Sequence, residues 1–228
     1  MCLPVHGTVG HQLASSPSAD SQLSADKHLD LLTNSGRQSR VYDPFPTPVY
    51  SSVGFDILGK LVENVNGKSY SEYLQDSVFQ TAKLNRTSVE IPGDQSIGFI
   101  PAVPGCSGAM YSSNNDILSF RASILSSELF TLERTRAWLK PRSSTSSSGP
   151  YVGGPWEVAR GANLASDGRN IDFYTKTGNQ YDYTNVLVLV PDYDLVIAIN
   201  LVGGVHSSLP EIEALFSALV KALIPVVD

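Results

Sequence analysis

Apolar residues recur at helical spacing through Val53, Ile57, Leu58, Leu61, Val62 and Val65, which predicts an amphipathic helix. Ser52 is a good N-cap before it and Asn66-Gly67 a good stop after it. Ser69-Tyr-Ser-Glu72 has the spacing of a capping box and opens another helix reaching about Phe79. Residues 85–110 read as loop and turn, punctuated by Pro92-Gly93 and Pro104-Gly105. Ser113 caps a third helix, with Asp116 in its first turn and Ile117, Phe120, Ile124 and Leu125 on one face. Thr131 opens a fourth, which ends near Leu139 ahead of Pro141.

The period then changes. Ser143–Gly149 is a serine-rich, low-complexity loop and the clearest internal boundary. After it, Trp156–Arg160, Ile171–Lys176, Asn185–Val190 and Leu195–Leu201 read as strands, rich in Val, Ile and aromatic residues. Pro191-Asp-Tyr-Asp194 is a turn that joins the last two as a hairpin. Gly203-Gly204 ends the sheet run. Ser208-Leu-Pro-Glu211 caps a closing helix with Ile212, Leu215, Phe216, Leu219, Val220 and Leu223 on its face. Upstream, residues 1–40 show little periodicity apart from a short helix near Leu23–Leu32. Asp43–Val49 is proline-dense and extended. Helices followed by an antiparallel meander and a packing helix make an α+β fold. We expect one domain over residues 1–228, mostly helical in 1–142, with an antiparallel sheet and closing helix in 149–228.

Composition narrows the function classes. Hydrophobic residues make up 42% of the chain and charged residues 17%, as in a folded globular protein. The formal net charge of −6 and the lack of any Lys/Arg run argue against nucleic acid or an anionic membrane as partner. No apolar run reaches the ~18 residues that a membrane span needs. The opening Met-Cys-Leu-Pro-Val-His-Gly lacks the charged and apolar regions of a signal peptide, and the compartment stays open. Cys2 and Cys106 make neither a disulfide framework nor a metal site, and no metal or other cofactor is expected.

Chemistry points to two places. Lys176 lies inside an apolar strand, which is costly unless its ammonium faces a cleft or a partner. Thr177 adds a hydroxyl, and Gly178 a strand position where a ligand can approach the backbone closely. Such an edge can hold a substrate carbonyl or carboxylate. Tyr50 stands just before the first strong helix. A phenol is a poor base at its ordinary pKa of about 10, but a nearby ammonium favours the phenolate. The alternatives are a surface lysine on an edge strand and a core tyrosine docking the proline-rich segment. His6, His11, His28 and His206 offer no Ser-His-Asp arrangement, and no Gly-x-Ser-x-Gly elbow exists.

Four segments in order resemble the class C β-lactamase-related serine hydrolases. Val49-Tyr-Ser-Ser-Val-Gly-Phe-Asp-Ile-Leu-Gly59 and the helix to Gly67 are similar to that family's Tyr-Ser-Asn segment. Gly108-Ala-Met-Tyr-Ser-Ser-Asn-Asn-Asp-Ile117 resembles its glycine-rich turn and following helix. Tyr174-Thr-Lys-Thr-Gly178 and Val188-Leu-Val-Pro-Asp-Tyr-Asp-Leu-Val196 resemble its Lys-Thr-Gly strand and the next hairpin. Trp138-Leu-Lys-Pro141 and Pro155-Trp-Glu157 look most like the versions in filamentous fungi. The resemblance covers about residues 23–205.

It implies the β-lactamase/transpeptidase-like fold and an acyl-enzyme mechanism on a small amide, lactam or ester, in some relatives within secondary metabolism. Tyr50 and Lys176 would be catalytic, and Ser52, Thr177 and Gly178 would bind substrate. The backbone N–H of Asn179 would serve the oxyanion hole. Two departures stand out. Ser52 replaces the family's asparagine and is left with a capping role. The only Ser-x-x-Lys is Ser24-Ala-Asp-Lys27, 26 residues before Tyr50 and too close for the family's spacing. About one such spacing is expected by chance in this composition. The chain therefore reads as a family member truncated before its nucleophile helix and first strands, with an exposed sheet edge and an apolar groove in their place. A pseudoenzyme or binding protein is the alternative.

Overall fold

A computed structural model describes residues 48–90, 110–145, 151–180, 183–202 and 209–228, with single positions at 27, 30, 34 and 108. Outside the described residues lie Ser24, most of the expected Leu23–Leu32 helix and proline-dense approach, and the turns at 92–93 and 104–105. Both cysteines, the four histidines, Gly203-Gly204 and the Ser208 cap also fall there. The chain divides into two compact units, residues 1–113 and 114–228.

In the first unit, helix α1 spans Ser52–Asn66. Its cap is Ser51 rather than the expected Ser52. Ser51 is extended (φ −148°, ψ 111°), and its hydroxyl accepts the Gly54 N–H at 3.0 Å. Gly67 ends the helix in the left-handed region (φ 68°) and donates its N–H to the Glu63 carbonyl, as the Asn-Gly stop foretold. Val53, Gly54, Phe55, Asp56 and Gly59 are buried, whereas Leu61 and Val65 of the expected stripe are exposed. The stripe marks the apolar side; burial further depends on which turns of the helix find a neighbour. Helix α2 (Tyr70–Leu74) opens with the expected capping box. The Ser69 hydroxyl accepts the Glu72 N–H, and the Glu72 carboxylate accepts the Ser69 N–H at 2.9 Å. It continues as a π-helical turn, Gln75–Phe79, which buries Phe79. Strands β1 (Thr87–Ser88) and β2 (Tyr111–Ser112) pair antiparallel.

The second unit holds helices α3 (Asn114–Leu125) and α4 (Leu132–Leu139) and an antiparallel six-stranded sheet. Its strands are β3 (Ser143–Ser144), β4 (Tyr151–Gly153), β5 (Trp156–Gly161), β6 (Ile171–Gln180), β7 (Tyr183–Val190) and β8 (Leu195–Val202), in sequential order. The Pro191–Asp194 turn joins β7 to β8 as expected, with Asp194 at φ 48°. β3 and β4 were not foreseen. They are too short to carry a period, and Ser143–Ser144, expected as loop, pairs with Tyr151–Val152.

Alternation along the strands feeds two cores. On one face Ile171, Phe173, Val186, Val188, Val190, Ile197 and Ile199 meet helix α5 (Leu209–Val227) through Ile212, Val220 and Ile224. Each such side chain contributes roughly 1.5–3 kcal/mol of burial. Leu215, expected on that face, is exposed, and Ile224 takes the place at its far end. The other face packs Trp156, Val158 and Leu189 against Ile124 of α3 and Leu139 of α4.

Candidate active site

The β4–β5 hairpin decides what β6 exposes. Gly153 pairs with Trp156 across a two-residue turn, in which Gly154 adopts φ 58° and Pro155 has a fixed φ. β5 therefore starts at Trp156, and its pairing with β6 runs only from Glu157–Thr175 to Gly161–Ile171. β6 continues to Gln180, paired over Tyr174–Gln180 with β7 on its other side. Lys176, Thr177, Gly178 and Asn179 thus lie where β6 has outrun β5. On the β5 side of that stretch no strand pairs with them among the described residues.

Register places the side chains. Lys176 and Gly178 fall on the sheet face that carries Trp156 and Leu189, and Thr177 and Asn179 on the face toward α5. Lys176 is partly exposed; its Nζ donates to the Thr177 carbonyl at 2.8 Å and lies 3.6 Å from a Glu157 carboxylate oxygen. The ammonium thus has the partner that a lysine in an apolar strand requires. Thr177 is partly buried and Asn179 exposed. At Gly178 a Cβ would come within 2.7 Å of the Asn185 side chain, its cross-strand neighbour. The sequence reading missed Glu157 and Asn185. Each becomes visible only once the register is known, because neither adjoins the motif along the chain.

Polar pairing continues across the sheet from Asn185. Asn185 pairs with Asn200 in β8, whose amide donates to the side chain of Asn114 at the start of α3. A row of small amides therefore extends from the Lys-Thr-Gly strand to the helix that follows the glycine-rich turn.

Tyr50 and Ser52 belong to the first unit, Lys176–Asn179 to the second. Tyr50 is 57% exposed, its ring 5.5 Å from that of Phe55, so it is not the core tyrosine of the alternative reading. Ser52, in the first turn of α1, is exposed. With Ser51 as the cap, its hydroxyl is released from the role the sequence assigned to it. Among the described residues no cluster of His, Cys, Asp or Glu could hold a metal, and no helix is long and apolar enough to cross a membrane.

Comparison with known proteins gives the family and the fold. The chain is 31% identical over 211 residues to a Beta-lactamase-like protein of Arthroderma benhamiae, covering 85% of this chain and 35% of that one. It is 28% identical over 179 residues to "Probable hydrolase M10" of Phoma sp., covering 74% and 30%. The chain thus spans about a third of the length of these curated relatives. In structure it resembles the D-amino acid amidase of Ochrobactrum anthropi (TM-score 0.71, 16% identity, 97% of this chain and 70% of that one). That likeness establishes the β-lactamase/transpeptidase-like α+β fold. The Beta-lactamase family model matches residues 10–214, and the chain belongs to that family.

Proposed function

We propose that the edge of β6 beyond the end of its pairing with β5 is the substrate-binding edge of a serine acyl-transfer site acting on a small amide, lactam or ester. The observation that carries this reading is the overrun of β6. Among the described residues β5 pairs with β6 only as far as Thr175, while β7 pairs with it on to Gln180. Backbone groups on such an edge can pair with a substrate as a further strand would. Lys176 supplies positive charge to a carboxylate or developing oxyanion, and Thr177 a hydroxyl. The Asn179 N–H would donate to the oxyanion, a contact worth about 3–4 kcal/mol in such sites. The family resemblance gives Tyr50 and the lysine of a Ser-x-x-Lys the task of moving the proton of an attacking serine. Water as acceptor completes hydrolysis; an alcohol or amine completes transfer. The amidase likeness supports the amide among these substrates, and a task in secondary metabolism follows from the family resemblance alone.

A second reading, binding without turnover, rests on the position of Ser24, 26 residues before Tyr50 in the only Ser-x-x-Lys of the chain. Mass spectrometry after incubation with benzylpenicillin or p-nitrophenyl acetate separates the two. A covalent increment on a serine that Lys176→Ala abolishes supports acyl transfer. An increment that Lys176→Ala leaves intact removes Lys176 from the mechanism. Saturable, non-covalent binding that is lost in Lys176→Ala selects the second reading, and no binding at all rejects both.

A further inference from the structure

Arg121 of α3 has no solvent exposure, and among the described residues none of its three guanidinium nitrogens meets a hydrogen-bond acceptor. The guanidinium stands 5.5 Å over the ring of Trp156, which is equally buried and whose indole N–H is also unpartnered. Around Trp156 the core is Ile124, Leu139, Val158 and Leu189, all apolar. Burial alone lowers the Arg121 pKa, to about 9, with no carboxylate acting against it. The group therefore stays charged at neutral pH. Native cores pair such groups, and stacking on an indole offsets only part of the cost of burying the charge.

We propose that Arg121 and Trp156 bind a small monovalent anion of the chloride class in the core formed by α3, α4 and β5. The donor set selects the ligand. Guanidinium and indole can only donate. A water in this place would have two hydrogens of its own to satisfy, and neither the guanidinium nor the indole can accept one. An anion accepts from every donor and neutralises the guanidinium. A divalent oxyanion would replace one buried net charge by another of opposite sign. The bound ion would fasten α3 and α4 to β5, a structural role separate from the edge of β6.

Thermal melts of the whole chain test this at constant ionic strength, with sodium chloride replacing sodium gluconate stepwise. The Tm should rise with chloride, by about 5–10 °C at a hundredfold excess over Kd. Bromide should substitute for chloride. Arg121→Met should show no chloride dependence, and Trp156→Phe should need about tenfold more chloride, the loss of one hydrogen bond to a charged ligand. Should Arg121→Met fail to fold, chlorine NMR of the wild-type chain decides: saturable line broadening that bromide reverses sustains the site. A wild-type Tm indifferent to chloride, or broadening that does not saturate, overturns it and leaves the donors to water.

Discussion

Gly178 and Asn185 face each other across β6 and β7 with no room for a methyl group between them. A Cβ on Gly178 would lie 2.7 Å from Asn185 Oδ1 and 3.0 Å from its Nδ2. Asn185 is exposed, so its amide can swing aside. Gly178→Ala should therefore change stability by less than about 1 kcal/mol, while Asn185→Ala beforehand should make it neutral or better, a coupling of about 0.5–1 kcal/mol. A double-mutant cycle by urea denaturation measures it.

Gly153 is the contrasting case. A Cβ there would meet the Lys140 carbonyl oxygen at 2.3 Å and the Pro141 Cα at 2.8 Å, both backbone. Backbone at the end of α4 cannot rotate away. Gly153→Ala should cost about 2–3 kcal/mol or more. A loss below about 1 kcal/mol in the same denaturation series would show that the α4–β4 approach is looser than the geometry indicates.

The two serines ahead of α1 separate cleanly. Ser51→Ala removes the hydroxyl that accepts the Gly54 N–H and should cost about 1 kcal/mol. Ser52→Ala, at an exposed first-turn position, should stay within about 0.5 kcal/mol. Equal losses would contradict the assignment of Ser51 as the cap.

Lys176 contributes little to stability. Its contact with Glu157 is 3.6 Å long, with the two side chains 27% and 51% exposed, and such pairs contribute about 0–1 kcal/mol. Glu157→Gln and Lys176→Ala should each shift the urea midpoint by the equivalent of about 0.5 kcal/mol or less. A much larger loss in Lys176→Ala would mean that the lysine holds the sheet together and would weaken its functional assignment.

Acid should loosen the far end of α5. The Asp228 carboxylate accepts the Ser166 N–H at 2.6 Å and the Tyr193 hydroxyl at 2.5 Å, while Arg169 donates to the same tyrosine oxygen and to Asp192. The hydrogen bonds from Ser166 and Tyr193 lower its pKa to about 2, and the same bond raises that of Tyr193. A carboxyl with a depressed folded pKa stabilises fully above its unfolded value near 4 and loses that contribution as pH falls toward about 2. Between those limits the wild-type Tm should therefore fall more steeply than that of Asp228→Asn. Parallel curves would show that the network contributes nothing to folding.

Much of this architecture was written in local chemistry. The Glu72 capping box, the Gly67 stop and the Thr131 cap each act within a few residues, and the structure realises all three. The long strands were legible because Val, Ile and aromatic residues fill them. What escaped was whatever depends on register or on distant neighbours. Ser51 and Ser52 are chemically alike, so spacing alone could not choose between them. Asn185 adjoins Gly178 only after the β6–β7 pairing is set. Arg121 falls on the apolar face of its helix, four after Ile117 and three before Ile124, but the ring it stands over, Trp156, is 35 positions away and spacing could not name it. Of the candidate site, Lys-Thr-Gly was visible as a motif, but the opening beside it was not. That opening depends on where Pro155 turns the chain.

The Gly154-Pro155 turn therefore acts as a ruler. Each residue inserted symmetrically into the two arms of the β4–β5 hairpin would advance β5 by about 3.3 Å and cover one more position of β6. Some five such steps, one for each position from Lys176 to Gln180, would roof over the whole stretch. A chain with longer arms could keep every residue of Lys-Thr-Gly and still present no edge at all. In comparing relatives, hairpin length is thus a trait to read alongside the motif, since the letters alone do not say whether the strand is open.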